Sequence, residues 1–321
     1  AGYIGSQVCK ELYELGFNPI TIDNLCTGNK WSVRWGPLEI VDLMDNKKLL
    51  KIFNLYKPIA VMHFAAHAYI DESIKFPTKY YYNNVIGSIN LLEVMVMSDV
   101  KFIIFSSTCA TYGVPEKIPI IESNTQKPIN PYGTSKLVVE QILKNYDKVR
   151  SIRSVVLRYF NAAGADLENE IGEWREPEPH LIPKIIDVAL GNKKTIRIYG
   201  NDYNTPDGTC IRDYVHVKDL ATAHVLSLKY LLKEKKSEIF NLGTGNGNSV
   251  YEIIEKTNNL TETIINARIS QRRKGDPDVL VANAEKAKLI LGWEPKYSSI
   301  DIILKTAIDW YKNGRKNYET K

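Results

Sequence analysis

The chain opens with Ala1-Gly2-Tyr3-Ile4-Gly5-Ser6 and, one helix later, continues into Pro19-Ile20-Thr21-Ile22-Asp23. Val8, Leu12 and Leu15 recur at helical spacing, which predicts a helix directly after the two glycines. A glycine turn that leads into a helix, followed by a short apolar strand ending in a carboxylate, is typical of the nucleotide-binding half of an α/β sheet. This stretch therefore predicts the fold class and a phosphate-binding turn.

The segment before the glycines is short. Turns of this kind normally follow a strand, and neither a strand nor an initiator methionine precedes Gly2 in this sequence. We therefore expect an N-terminally truncated chain in which the first strand of the sheet is missing.

The rest of the first half alternates between apolar strands and helical patterns. The predicted strands are 38–42, 59–64, 102–107 and 155–159, and the helical patterns between them are 47–56, 77–97 and 132–146. Near-continuous apolar strands separated by helices indicate a parallel sheet that is covered on both faces. We predict a doubly wound α/β domain over residues 1–165, with its ligand beyond the carboxyl ends of the strands.

Shorter elements follow beyond Asn161, after an acidic loop at 168–179 that carries two prolines. They predict a smaller α+β lobe over residues 166–321, and we expect part of 211–243 to return to the first domain.

The composition excludes several classes of protein. The 321 residues carry a net charge of only +5, which is too small and too scattered for a nucleic-acid-binding protein. No apolar run approaches the roughly 20 residues of a membrane span, and the four cysteines lack metal-ligand spacing. We expect a cytoplasmic enzyme with no metal site, no nucleic-acid partner and no membrane anchor.

Asp23 stands about 20 residues after the glycine turn. A carboxylate there can accept hydrogen bonds from both ribose hydroxyls of an adenosine and would repel a 2′-phosphate, which favours NAD over NADP. The alternative interpretation is a solvated aspartate at the end of a strand.

Tyr132 and Lys136 lie four residues apart on a predicted helix and therefore share one face. Asn130-Pro131 places the pair at the helix start, where the helix dipole favours negative charge. A lysine ammonium near a phenol favours the phenolate and lowers its pKa from about 10. The pair is a candidate base and activator, although the bare spacing is also common on protein surfaces.

Hydroxyl groups cluster in Ser106-Ser107-Thr108, at the carboxyl end of a predicted strand. We interpret Ser106 as a structural hydroxyl that satisfies backbone groups. Thr108, expected one step past the strand, could bridge a substrate hydroxyl and the tyrosine.

Together these residues resemble the extended short-chain dehydrogenase/reductase superfamily and, within it, the UDP-glucose 4-epimerases. The resemblance covers nearly the whole chain, with motifs at 2–6, 23–24, 63–66, 72–73, 81–85, 130–133 with Lys136, 157–161, 200–203, 207–209, 212–217, 241–245 and 272–276. It implies a Rossmann domain, tightly bound NAD, and reversible 4-epimerisation of UDP-glucose and UDP-galactose through a transient 4-keto sugar.

The resemblance also implies roles for individual residues. Tyr132 resembles the catalytic base, Lys136 its activator and a ribose ligand, and Thr108 the partner of the sugar 4-hydroxyl. The implied cofactor positions are Gly2, Tyr3, Ile4, Gly5, Asp23, Asn24, Asp42, Leu43, Phe64, Ala65, Asn83, Tyr132, Lys136, Tyr159 and Phe160. The implied substrate positions are Thr108, Asn161, Leu181, Tyr199, Arg212, Arg273, Asp276 and Leu280.

Three positions bear on where this chain departs from its relatives. Ala68 stands where many members have a lysine that reaches the nicotinamide ribose, so we expect that contact to be absent. His180 replaces an asparagine that is common in some members. Leu280 falls where members wall the 2-substituent of the sugar, and its intermediate size leaves UDP-N-acetylhexosamines open as slow secondary substrates; the alternative interpretation is that Leu280 is only a core residue. An epimerase of UDP-pentoses also stays open.

Two other functions share part of this residue pattern. A nucleotide-sugar 4,6-dehydratase usually carries an Asp-Glu pair directly after the threonine, and Cys109-Ala110 cannot transfer those protons. A truncated chain that binds NAD and nucleotide without turnover stays open, because truncation could abolish catalysis by intact residues. The helical patterns at 77–97 and 132–146 resemble those through which relatives form a homodimer.

Overall fold

The structure, a computed structural model, describes residues 1–273 and 275–319. The helices are α1 (Tyr3–Glu14), α2 (Asn46–Tyr56), α3 (Ile70–Lys75), α4 (Pro77–Tyr80), α5 (Gly87–Met97), α6 (Pro131–Arg150), α7 (Leu181–Ala189), α8 (Val217–Glu234), α9 (Val250–Thr261), α10 (Glu285–Leu291), α11 (Ile300–Asp309) and α12 (Lys316–Glu319). The strands are β1 (Thr21–Asp23), β2 (Leu38–Ile40), β3 (Val61–His63), β4 (Phe102–Thr108), β5 (Arg153–Tyr159), β6 (Asn161–Ala163), β7 (Ile196–Tyr199), β8 (Ile211–Arg212), β9 (Tyr214–His216), β10 (Glu238–Leu242), β11 (Asn248–Ser249), β12 (Ala267–Ser270) and β13 (Val279–Leu280). A π-helical segment joins α4 to α5 (Tyr81–Ile86), and a second one continues α11 (Trp310–Gly314).

The main sheet has four parallel strands in the order β10-β5-β4-β3. Neighbouring residues of β4 point to opposite faces, so Ile104 packs with α1 and α8 while Ile103 packs with α2, α5 and α6. A separate parallel pair joins β1 to β2. Because helices cover both faces of a parallel sheet, the predicted doubly wound α/β class is confirmed.

The second half of the chain is built from small strand pairs around a different core. β6 pairs with β9, β7 with β12, and β8 with β11 and β13. Helices α7, α9 and α11 enclose this core together with Trp310. β10 lies beside β5, so the chain returns to the main sheet after strands β8 and β9.

Most predicted elements agree with the structure to within a few residues, and one difference concerns the site. β4 extends through Thr108, so this threonine is the last residue of the strand and not the residue beyond it. Among the described residues, none of the helices combines the length and apolar character that a membrane span requires.

Candidate active site

The site forms where α6 starts, beside the carboxyl end of β4. Asn130 caps α6, its side chain accepting a hydrogen bond from the N–H of Gly133 at 2.8 Å. A Cβ on Gly133 would lie 2.5 Å from the carbonyl oxygen of Ala110, so only glycine allows this helix to approach the segment after β4 so closely. The close approach brings Tyr132 to Thr108.

Tyr132 differs from its predicted electrostatic state. Burial raises the pKa of its phenol to about 12, while a side-chain hydrogen bond with Thr108 and the charge of Arg175 work in the opposite direction. The sequence predicted that Lys136 lowers this pKa. In the structure the charged group of the described chain that favours the phenolate is Arg175.

Lys136 is buried and its ammonium faces the sheet. Its Nζ donates to the carbonyl oxygen of Ser106 at 2.8 Å and lies 4.9 Å from the centre of the Phe105 ring. Burial lowers the pKa of Lys136 to about 7, and the Glu140 carboxylate one turn further along α6 partly offsets this. Lys136 is thus available to titrate near neutral pH.

Ser106 has a different role from the one predicted. Its carbonyl accepts from Lys136, and its hydroxyl bonds to the hydroxyl of Tyr159, a side chain, rather than to backbone groups. This hydrogen bond fixes Tyr159, the last residue of β5, at the same edge of the sheet as Thr108.

The start of α1 fits a bound diphosphate. Its N-cap is Gly2, and among the described residues no side chain caps the free N–H groups of the first turn. A Cβ on Gly2 would meet no described atom within 4 Å, whereas one on Gly5 would touch the Phe64 ring at 3.6 Å. Free helix N–H groups facing open space bind phosphate, so Gly2, Tyr3, Ile4 and Gly5 suit the diphosphate of NAD.

The predicted adenosine positions lie together at the carboxyl ends of β1 and β2. Asn24 Nδ2 donates to Asp42 Oδ2 at 2.7 Å, and Asp23 Oδ1 accepts from the N–H of Leu25 at 2.7 Å. Leu43 packs against Gly87 of α5. Two carboxylates beside an apolar wall suit the ribose and adenine of a dinucleotide.

The loop after β3 carries Phe64 and Ala65 and is held by Asn84. Asn84 Oδ1 accepts from the N–H of His67 at 2.9 Å, and its Nδ2 donates to the His67 carbonyl at 3.0 Å and to Ser135 Oγ at 3.0 Å. Asn83 donates to the same amide oxygen. These bonds tie the cofactor-side loop to the helix that carries Tyr132.

The predicted substrate positions of the second lobe include two groups that contain an arginine. Arg212 Nη2 binds Asp276 Oδ1 at 2.6 Å, and the Arg273 guanidinium lies 4.4 Å from the Tyr199 ring centre. Both arginines are already oriented, as recognition of a diphosphate by guanidinium groups requires.

The remaining predicted substrate positions are Leu280, Asn161 and Leu181. Leu280 pairs with Arg212 in the β13–β8 ladder and packs against the cluster that contains Phe160. Asn161 Nδ2 donates to the carbonyl of Asp213 at 3.0 Å, and Leu181 starts α7.

Sequence reasoning missed two features of the site, Arg175 and the Glu140–Arg158 ion pair, and it interpreted His224 only as a structural residue. Arg175 lies in the acidic loop, where nothing but its charge marked it. His224 is buried between the Phe64 and Tyr159 rings, at 4.8 and 6.1 Å, and its Nε2 has no hydrogen-bond partner among the described residues. The buried ion pair between Glu140 of α6 and Arg158 of β5 links this helix to the main sheet, and Arg158 Nη2 lies 2.6 Å from Glu140 Oε2.

Comparison with known proteins identifies the class. A model of the "NAD dependent epimerase/dehydratase family" matches residues 1–243. The chain belongs to this family, and NAD is therefore its cofactor, as predicted.

Within the family the chain is similar to UDP-glucose 4-epimerases over nearly its whole length. The enzyme of that name from Rhizobium meliloti (strain 1021) is 47% identical over 317 residues, which cover 99% of this chain and 96% of that protein. The crystal structure of the UDP-glucose 4-epimerase from Brucella ovis in complex with NAD has 46% identity and a TM-score of 0.94, covering 96% of this chain and 95% of that one. The enzyme from Bifidobacterium longum, solved with NAD⁺ and UDP, has 36% identity and a TM-score of 0.93, covering 98% and 96%.

Proposed function

We propose that this chain interconverts UDP-glucose and UDP-galactose by inverting the configuration at C4 of the sugar, a step of galactose metabolism. The observation that carries the proposal is the side-chain hydrogen bond between Tyr132 and Thr108 at the start of α6, the helix that also carries the buried Lys136. Together with the similarity to UDP-glucose 4-epimerases over 99% of the chain, it favours this activity over simple nucleotide binding.

The chemistry divides between cofactor and chain. NAD, when bound, supplies reversible hydride exchange with C4 of the sugar. In its phenolate form Tyr132 takes the proton from the sugar 4-hydroxyl. The phenol that results returns that proton to O4 after the sugar has presented its other face, while Thr108 orients the 4-hydroxyl. Burial raises the pKa of Tyr132 to about 12 even with the opposing charge of Arg175, so further positive charge near the phenol is needed to favour the phenolate, and the positive nicotinamide ring of bound NAD⁺ would supply it.

The nucleotide is held apart from the reacting carbon. Arg212 and Arg273 bind the diphosphate, and their partners Asp276 and Tyr199 keep the guanidinium groups in place. The sugar itself meets mainly apolar walls such as Leu280. Because the diphosphate is held firmly and the sugar only weakly, the 4-keto sugar can rotate in the site and present its opposite face.

The direct test is conversion of UDP-galactose to UDP-glucose by the purified chain, followed by a coupled dehydrogenase assay. We expect turnover by the wild type and loss of most of the rate in Tyr132→Phe, with NAD and UDP binding retained. A wild-type chain that binds NAD and UDP but converts neither sugar would establish the binding-only alternative.

Sugar acceptance is expected to depend on Leu280. Leucine is smaller than an aromatic residue but still branched, so hexoses with a free 2-hydroxyl fit beside it. UDP-N-acetylhexosamines are then slow secondary substrates, because a pocket wall changes acceptance by only about 1–3 kcal/mol per small group.

The assembly that we propose is a homodimer formed through α5, α6 and the π-helical segment before α5. Large apolar side chains face solvent there, with Tyr82 59%, Ile86 40% and Met97 65% exposed. Burial of such a face against a second copy removes it from water. Light scattering at micromolar concentration that gives the mass of one chain would contradict this assembly.

We further propose a cytoplasmic location and two functional parts. Residues 1–165 hold NAD, and residues 166–321 mainly hold the UDP-sugar, with part of 211–243 returning to the first part. The position of β10 beside β5 supports that return.

A further inference from the structure

The loop between β6 and α7 lies against the glycine turn. The carbonyl of Trp174 accepts a hydrogen bond from Asn29 Nδ2 at 3.3 Å, and the Asn29 N–H donates to the carbonyl of Ala1 at 2.8 Å. Lys10 of α1 reaches the same loop, with Nζ 2.9 Å from Asp166. The residue after Trp174 is therefore carried close to the start of α1.

That residue is Arg175, and its side chain is held from both sides. Its Nε donates to Glu173 Oε1 at 3.1 Å, and its Nη1 donates to the hydroxyl of Tyr69 at 3.5 Å. The guanidinium carbon lies 5.6 Å from the centre of the Tyr69 ring. Among the described residues no hydrogen-bond acceptor engages Nη2, so one edge of a largely buried guanidinium is uncommitted.

Tyr69 connects this cation to the reacting end of the site. The hydroxyl of Tyr80 accepts from the Tyr69 N–H at 3.0 Å and donates to the Tyr69 carbonyl at 2.7 Å. The Tyr80 ring meets the Tyr132 ring edge-on at 6.4 Å. Arg175 thus lies in the space bounded by the glycine turn, the loop after β3 and the start of α6.

The electrostatics agree with this location. The charge of Arg175 opposes the rise in pKa that burial causes in Tyr3, Tyr132 and Tyr159. Tyr3 is the first residue of α1, and Tyr159 ends β5. One cation therefore acts on both ends of the space that the cofactor would fill.

We propose that Arg175 binds the diphosphate of NAD from the second lobe, opposite the free N–H groups at the start of α1. A guanidinium binds phosphate oxygens through paired N–H groups, and a helix N-terminus binds them through the backbone, so the two recognise opposite sides of one diphosphate. The proposal adds one residue of this chain to the NAD binding that the family shares, and it does not depend on turnover of a sugar. The other diphosphate that could reach Arg175 is that of the UDP-sugar, and the experiment separates the two.

The test compares Arg175→Met, Arg175→Lys and the matched control Arg197→Met, which alters an exposed arginine of β7 in the same lobe. NAD affinity is measured by calorimetry on protein stripped of cofactor, and UDP affinity on the same protein reloaded with NAD. We expect Arg175→Met to weaken NAD binding about 10- to 100-fold, the loss of one charge-assisted contact, and Arg175→Lys to recover part of it. Arg197→Met should bind NAD like the wild type, and all variants should bind UDP within about threefold of it.

Three results would overturn the proposal. The first is NAD affinity in Arg175→Met within about fivefold of the wild type. The second is a loss confined to UDP affinity, which would assign Arg175 to the substrate diphosphate. The third is a fall in the melting temperature of the NAD-free Arg175 variants that parallels the loss of NAD and is shared by Arg175→Lys, which would make Arg175 structural. Because each readout is binding or unfolding, a chain that fails to epimerise sugars still gives a clear result.

Discussion

Replacing Glu140 with glutamine should destabilise the fold by about 3–5 kcal/mol, because it leaves a buried guanidinium without its counter-ion. Glu140 Oε2 lies 2.6 Å from Arg158 Nη2, and its Oε1 accepts from Arg158 Nε at 3.0 Å and from Ser107 at 2.5 Å. The side chains of the pair are 1% and 2% exposed, so water cannot replace the lost carboxylate charge. The effect should therefore far exceed that of a surface ion pair.

Thermal and urea unfolding of the variant measure the loss. At about 2.1 cal/mol/K per residue, a chain of 321 residues changes its midpoint by about 1.5 °C per kcal/mol, so the midpoint should fall by about 4.5–7.5 °C. The control is Asp301→Asn, which breaks the exposed Lys256–Asp301 pair at 2.9 Å and should cost less than about 1 kcal/mol.

A double variant separates the charge from the packing. Glu140→Leu together with Arg158→Met removes both charges and should recover most of the stability that Glu140→Gln loses. Stability of Glu140→Gln within about 1 kcal/mol of the wild type would refute this reasoning. A double variant as unstable as the sum of its single changes would refute it as well.

Three further predictions concern the reacting groups. Tyr132→Phe should lower kcat by about 10²–10⁴-fold with NAD content unchanged, while the exposed Tyr81→Phe should be active; comparable rates in the two would remove Tyr132 from the role of base. Leu280→Tyr should raise, and Leu280→Ser lower, the preference in kcat/KM for UDP-galactose over UDP-N-acetylgalactosamine, and one ratio in all three proteins would show that Leu280 does not gate the substrate. The pKa of Lys136 is about 7 in the fold against 10.5 when exposed, so the unfolded chain binds more protons between these values and stability should rise as the pH increases from about 7 to 10.5. Urea unfolding across that range should show the rise in the wild type but not in Lys136→Met, and an equal slope in both would contradict the assignment.

The parts of the site that sequence reasoning located lie at element ends. Asp23 ends β1, Thr108 ends β4, and Tyr132 follows the Asn-Pro pair at the start of α6. Each position is specified by local periodicity and a helix-start signal, and the carboxyl ends of parallel strands share one edge of a sheet. Such residues can be assigned to a common site before any coordinates exist.

The electrostatic state of these residues could not be assigned in the same way. The spacing of Tyr132 and Lys136 predicted a lowered phenol pKa, but in the structure burial raises it to about 12. Lys136 directs its ammonium to the carbonyl of Ser106, where burial brings its own pKa to about 7. The direction of a pKa shift depends on desolvation, and desolvation depends on everything that packs around the group.

The sequence by itself determined the doubly wound α/β class, the glycine turn that starts α1 and the tyrosine–lysine helix, because local periodicity, turn chemistry and residue spacing specify all three. Only the tertiary structure decided that the loop carrying Arg175 lies against the glycine turn, that Tyr69 and Tyr80 connect Arg175 to Tyr132, and that Glu140 links α6 to β5 through Arg158. Arg175 and Tyr69 are 106 residues apart in the chain, and no local pattern relates them. Contacts of this range arise from the packing of one lobe on the other, which is a property of the whole fold and not of any segment.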